Sequence, residues 1–401
     1  MLKNETYFID SCDDVELNIK RESKLEYRIT YDDSKQMKAI VFIIGAYGSN
    51  VDLSIIDFDR QFIAKKFDVV AVSVLYHCFS CRINEKDKRY SAQFYFDGND
   101  VERIKKSLSE INLNDIDIGV ANDYLSYLEH TIDLHKENIS LGREYKFDLT
   151  CTMLPPNNEY QNYGIMASID CVNTLKDLCK SFPDFRRLPK IYGGTSYGGY
   201  LSLLISKIAP WYVDGVIDNS GEAMLLLGYI LGRELEHPDA YYSSKNLKIG
   251  CFLRTYWNAN KESPYCFKDE NYEIRTLLNQ THLILQAQKN KNILYASYHS
   301  SADPLTSCEF KTQYMQVLKT LGYDVNFHLI DEKDIDGKFI KKLTHGGGIT
   351  VKALFGRELP KMLEKFKDKN FILREDSISY PCKDKVFTFK DKGNKFVLEI
   401  I

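Results

Sequence analysis

Long apolar runs are what this sequence most lacks. The two strongest, residues 39–45 and 224–231, fall far short of the roughly 20 residues that cross a bilayer, so no membrane partner is expected. Charge of one sign is missing too. Lys and Arg number 53 against 56 Asp and Glu, a formal net charge of -3, which leaves no basic footprint for nucleic acid. The opening stretch MLKNETYFIDSCDDVELNIK has no apolar core of signal-peptide length and turns acidic early, so export is not expected. The ten cysteines are scattered from Cys12 to Cys382, and a chain of this size builds a core without cross-links, so they read as reduced thiols of a cytoplasmic protein. Cys78 and Cys81 form one Cys-x-x-Cys. It lacks both the second ligand pair of a zinc site and the thioredoxin-like setting of a redox motif, so no metal or cofactor is expected. Small molecules remain as partners, and no feature assigns an oligomeric state.

What is present is a folded, globular composition, 44% hydrophobic and 27% charged, with strands and helices in alternation. Residues 15–31 read as two strands joined by the polar stretch 20–24. KAIVFII (38–44) and DVVAVSVL (68–75) are near-continuous apolar strands of the buried kind, separated by a helix over 55–66. Strand, helix, strand implies a parallel sheet and sets the α/β class. The regular alternation then stops over about 76–163, too long for a bare loop, so an insertion with its own elements is expected. Asn99 or Asp100 caps one helix ending near Ile111, and 115–136 carries apolar residues at helical spacing.

The alternation resumes with a helix over 164–181, a short strand at 190–192, a glycine-rich turn, a helix over 200–208 and a strand at 214–218. A second insertion, rich in aromatics, spans about 222–290. Strand 292–298, helix 308–321, strand 324–330 and helix 349–366 complete the pattern, and beyond 368 the segments 385–389 and 395–400 read as a C-terminal β-hairpin. The implied division is a core in three parts (1–78, 164–221 and 291–367), two lid-like insertions (79–163 and 222–290) and the extension 368–401.

The chemistry is carried by the turn Gly194-Thr195-Ser196-Tyr197-Gly198. A serine hydroxyl is a poor nucleophile until a base takes its proton and a tight turn exposes it above a sheet edge. Glycines two places either side of Ser196 permit such a turn, with an apolar strand before it and an apolar helix after it. Neither the Gly-Lys-Ser/Thr nor the spaced-glycine fingerprint of a nucleotide loop is present.

On these residues the chain resembles the α/β-hydrolase superfamily, from the strand at 38–44 to the helix ending near Phe366. The resemblance implies a mostly parallel central sheet flanked by helices, and a nucleophile, acid and histidine in that chain order. Asp303, just past the strand 292–298, and His345, in Leu343-Thr344-His345-Gly346-Gly347-Gly348, stand where the superfamily carries its acid and histidine. Asp218 or Glu222, after the preceding strand, are alternative acids, and His299 is an alternative histidine. In the roles so implied, His345 takes the Ser196 proton and Asp303 holds the imidazole. Two backbone N–H donors for the developing oxyanion come from Tyr197 and from Ala46, with Tyr47 its neighbouring candidate. The loop Ile44-Gly45-Ala46-Tyr47-Gly48-Ser49 resembles the superfamily's His-Gly-x-x-Gly loop, with Ile44 at the usual histidine.

More narrowly, Ile43 to Ser49, Gly193 to Gly199, Asp334 to Lys338 and Leu343 to Gly346 together resemble an uncharacterised bacterial family often encoded in flagellin-glycosylation gene clusters. That setting implies an acylated sugar as substrate. The expected function is therefore a serine esterase or deacylase working through an acyl-enzyme on Ser196. An acyltransferase with the same three residues and a non-catalytic scaffold of hydrolase fold are the alternatives, separable by product analysis and by fluorophosphonate labelling.

Overall fold

The computed structural model describes residues 1–110, 121–138 and 141–401. The chain opens on an antiparallel pair, β1 (Leu2–Asp10) and β2 (Lys24–Asp32). The second of the two strands read over 15–31 is β2, and the first is corrected. Residues 14–19 close a tight turn through an Asp14–Ile19 bridge with Asn18 at φ 52°, so the alternation of Val15, Leu17 and Ile19 belongs to a turn. The true first strand is amphipathic only weakly, with no fully buried residue.

β3 (Ile40–Ile44) and β4 (Val70–Leu75) are buried throughout. Between them runs α1 (Leu53–Phe67), started by the Asp52 carboxylate accepting from the Ser54 N–H and stopped at Asp68 in the left-handed region. Such caps satisfy backbone groups that the helix ends leave unpaired. The first insertion supplies β5 (Gln93–Tyr95), α2 (Gly98–Glu110), α3 (Ala121–Glu137) and β6 (Phe147–Leu154). The expected helix end at Ile111 and helix start at Asp115 lie outside the described residues. Then follow α4 (Ile165–Ser181), β7 (Lys190–Thr195), α5 (Tyr197–Ile208) and β8 (Gly215–Asn219). The second insertion holds α6 (Gly228–Leu231), β9 (Ala240–Ser243), β10 (Leu247–Leu253), α7 (Asp269–Arg275) and α8 (Gln280–Lys289). β11 (Leu294–Ser300), α9 (Cys308–Thr320), β12 (Asp324–Ile330) and α10 (Val351–Phe366) return to the core. β13 (Ser377–Cys382), β14 (Lys385–Lys392) and β15 (Lys395–Ile400) end the chain.

The central sheet has eight strands in the order β1-β2-β4-β3-β7-β8-β11-β12. From β4 onward every pairing is parallel, and the first two strands run antiparallel at one edge. This is the α/β-hydrolase fold, with strand order reversing between β4, β3 and β7, where open α/β sheets place their sites. One face packs against α1 and α10 through Ile63, Phe67, Leu354 and Phe355, the other against α4, α5, α8 and α9.

The two insertions meet in one four-stranded sheet, β5-β6-β10-β9, whose central pair β6 and β10 is parallel. Its apolar face closes over α2 and α3 with a core of its own, in which Cys78, Cys81, Cys151 and Cys251 pack. The expected C-terminal hairpin is β14–β15. It is extended by β13 into a three-stranded antiparallel sheet, packed against the same core as α4 and α5 through Tyr380, Phe387 and Phe396. Among the described residues no helix is long and apolar enough to cross a membrane.

Candidate active site

The site begins with a backbone constraint. β7 delivers the chain to Ser196 at φ 54°, ψ −125°, and α5 starts at the next residue. Such a conformation costs an L-residue of the order of 1–3 kcal/mol and persists only where its surroundings enforce it. Here the Ser196 N–H donates to Asn219 O at 2.7 Å, and the Tyr200 N–H donates to Ser196 O at 3.0 Å. A side chain on Gly194 or Gly198 would collide with the carbonyl oxygen of Ile44, the last residue of β3. The two glycines therefore serve a close approach of three backbones, and the hydroxyl of Ser196 is left half-buried at the mouth of the sheet.

His345 arrives from the other side of the sheet, on the loop between β12 and α10. Gly346, Gly347 and Gly348 all have positive φ (72°, 61° and 70°), a run that favours glycine and bends the loop back over the strand ends. Two residues that sequence reasoning did not single out pin it. The Asn219 side-chain amide donates to Gly346 O, and the Gly346 N–H donates to the Ser220 hydroxyl, each at 3.0 Å. Asn219 thus holds both the Ser196 turn and the His345 loop. Its place at the end of the strand beside β7 was the available signal.

Asp303 sits in the turn after β11 with its side chain wholly buried and both carboxylate oxygens within reach of His345 Nδ1 at 2.8 and 3.0 Å. It also accepts from the backbone N–H groups of Leu305 and Thr306. It closes this turn, while the cap of α9 is Ser307. Burial alone would raise its pKa, but the His345 bond and the two N–H donors outweigh burial and hold it down to about 2. A carboxylate kept ionised at Nδ1 favours the tautomer whose Nε2 is free to accept a proton. Nε2 of His345 has no hydrogen-bond partner among the described residues. Ser196 and His345 line one cavity of ≈60 Å³, together with Tyr47, Tyr163, Tyr197, Ser220, Glu222, Leu226, Tyr229, Leu305 and Thr306. No hydrogen bond joins the serine hydroxyl to Nε2, a looseness common in sites without substrate.

The alternative acids are otherwise engaged. Asp218 is fully buried and bound by the Lys311 ammonium (2.6 Å), the Ser297 hydroxyl (2.6 Å) and the Gly221 N–H (2.9 Å). Glu222 lines the cavity but accepts from the Tyr163 hydroxyl at 2.5 Å. His299 is buried on β11 with Nε2 3.8 Å from Asp303. Burial and the charge of Lys311 lower its pKa, which keeps it neutral.

Of the donor candidates, Tyr197 is the first residue of α5, where a backbone N–H has no partner inside its own helix. Tyr47 lines the cavity beside it, and Ala46 precedes Tyr47 in the loop after β3, accepting from the Ser49 N–H. The Tyr47 ring is clamped by the insertions: its hydroxyl donates to Asp239 at 2.8 Å and accepts from Gln161 at 2.7 Å, and Arg82 lies 4.7 Å over the ring. Larger grooves of ≈530 and ≈810 Å³ lie where β1 meets the C-terminal sheet. No serine–histidine pair lines either.

Fold and site together define a protein of the α/β-hydrolase fold carrying a serine at a strained strand-to-helix turn. More closely, the chain belongs to the family described as "protein of unknown function (DUF2920)", which it matches over residues 5–400. No curated protein matches it. Among solved structures it is similar to the Pyrococcus horikoshii acylaminoacyl peptidase, with 14% identity, a TM-score of 0.47, and 94% of this chain covered. It spans only 43% of that peptidase chain. It is similar also to esterase Est22 (12% identity, TM-score 0.45, covering 92% of this chain and 81% of that one). A third is the Pyrobaculum calidifontis esterase (12% identity, TM-score 0.41, covering 91% and 85%).

Proposed function

We propose that the protein is a serine hydrolase that cleaves a carboxylic ester, as an esterase or deacylase, through an acyl-enzyme on Ser196. The observation that carries this reading is the shared cavity: Ser196, at φ 54°, and His345 line it, His345 with Nε2 unpartnered and Nδ1 bonded to the buried Asp303 carboxylate. In the first half-reaction a bond forms between Ser196 Oγ and the ester carbon while Nε2 takes the hydroxyl proton. The carbonyl oxygen becomes an oxyanion facing the N–H groups of Tyr197 and of Tyr47 or Ala46. The carbon–oxygen bond to the alcohol then breaks, and the alcohol leaves with the proton from Nε2. Water repeats the attack on the acyl-enzyme, giving its proton to Nε2, and the acid leaves as Oγ regains a proton.

The finer reading rests on the motif resemblance: the ester is an O-acyl group on a sugar of flagellin glycosylation, handled in the cytoplasm. The ten free cysteines suit a reducing compartment. The test is a fluorophosphonate probe on purified protein, followed by a panel of short-chain acyl esters. Labelling and turnover by the wild type but not by Ser196→Ala support the reading; a well-folded wild type that neither labels nor turns over any ester overturns it.

A further inference from the structure

The cavity at Ser196 restricts what can occupy it. At ≈60 Å³ it offers about four water-sized places, at about 15 Å³ for each. A sugar ring does not fit such a space. The part of the ester that this partly open cavity suits is therefore the acyl portion, with the alcohol towards solvent.

The wall is not uniformly apolar. Rings of Tyr47, Tyr197 and Tyr229 and the side chain of Leu226 enclose it, but Glu222 opens onto it as well. Glu222 is only 5% exposed. Its Oε1 accepts from the Tyr163 hydroxyl at 2.5 Å, and among the described residues no group bonds its second oxygen.

Resting on the serine-hydrolase reading, we propose that Glu222 is a specificity-determining residue that hydrogen-bonds a hydroxyl on the acyl chain, so that the enzyme prefers short hydroxyacyl esters of two or three carbons over unsubstituted ones. A hydroxyacetyl group has four heavy atoms: the carbonyl pair, one methylene and the hydroxyl that meets the carboxyl.

The charge of Glu222 decides which polar group fits. Burial raises its pKa to about 8, against the Tyr163 hydrogen bond and the Lys311 charge. The groups facing it are Tyr163 before α4, Tyr197 and Tyr200 of α5, Tyr229 of α6, Tyr272 of α7 and Lys311 of α9. At neutral pH the carboxyl is protonated and uncharged, able to donate to and accept from a hydroxyl, and it has no anion to offer an ammonium.

The experiment compares kcat/KM for 4-nitrophenyl glycolate, acetate and glycinate in the wild type, Glu222→Gln and Glu222→Ala. Taking the ratio of glycolate to acetate cancels any pH effect common to the two esters. The wild type should favour glycolate. The ratio should fall about tenfold in Glu222→Ala, the size of one lost hydrogen bond, and be retained in Glu222→Gln, whose amide also donates and accepts. In the wild type the ratio should change as pH rises through about 8, where the carboxyl loses its proton and becomes a charged acceptor, and in Glu222→Gln it should stay flat. That second comparison holds if Glu222→Ala does not fold. Equal ratios in all three proteins at every pH, or a preference for glycinate, would overturn the proposal and leave the hydrolase reading standing. Failure to hydrolyse any of the three esters or to label with fluorophosphonate would overturn both.

Discussion

Nδ1 of His345 lies 2.8 Å from one carboxylate oxygen of Asp303 and 3.0 Å from the other, although 42 residues separate the two in the chain. Neither side chain could hold this position alone. Asp303 is fixed by the N–H groups of Leu305 and Thr306, and the His345 loop is tied down by Asn219 and Ser220. Replacing Asp303 by Asn keeps the shape and removes the charge that, in the proposed mechanism, selects the reactive tautomer. Asp303→Asn should lower kcat by roughly a thousandfold or more while the protein still folds. Steady-state kinetics on the best ester found checks this. Wild-type kinetics in Asp303→Asn would show that another acid is in use.

The same carboxylate makes a pH prediction. Its folded pKa, about 2, lies below the ordinary aspartate value of 3.8, so the unfolded chain takes up its proton first as pH falls. The stability it contributes is whole above pH 3.8 and is lost as pH drops towards 2. Denaturant unfolding of wild type and Asp303→Asn should show a gap in stability that is constant above pH 5 and narrows between pH 4 and 2. A gap independent of pH would contradict the assignment of a depressed pKa.

How much of this was legible in the chain follows from what a sequence can encode locally. The elbow was readable because its glycines, the apolar strand and the apolar helix lie within twenty residues of one another. Asp303 and His345 were readable only through superfamily chain order. β1 was not: an edge strand with one face in water carries a weak alternation, and the clearer alternation of Val15, Leu17 and Ile19 is a bridged turn. The joining of the two insertions into one sheet was also invisible. The pairing of β6 with β10 brings Cys151 opposite Cys251 across 100 residues, and nothing local in either strand names its partner. The pinning of the His345 loop by Asn219 and Ser220 depends on neighbouring strand ends, which periodicity does not report.

The strain at Ser196 is a stability statement. Glycine reaches φ 54° without the Cβ penalty, though it loses more freedom on folding. Ser196→Gly should therefore abolish ester turnover and fluorophosphonate labelling while raising stability by up to about 1 kcal/mol, read as a higher melting temperature. Ser196→Ala, which keeps the Cβ, should be equally inactive without that gain. A drop in melting temperature for Ser196→Gly would mean that the hydroxyl, not the backbone, sets the stability of the turn.

Asp218 and Lys311 form a buried ion pair near the site. Both side chains are fully buried, 2.6 Å apart, and Lys311 also donates to Gly221 O at 2.8 Å, so the pair ties α9 to the loop after β8. Removing one partner strands the other as an uncompensated buried charge, at a cost of about 3–5 kcal/mol. Lys311→Met should then unfold at markedly lower denaturant, whereas Asp218→Asn with Lys311→Met together should recover much of the loss, because no charge is left behind. The folded fraction of the double variant should still label at Ser196. Loss of labelling in well-folded double variant would mean that Asp218, rather than Asp303, supports the histidine.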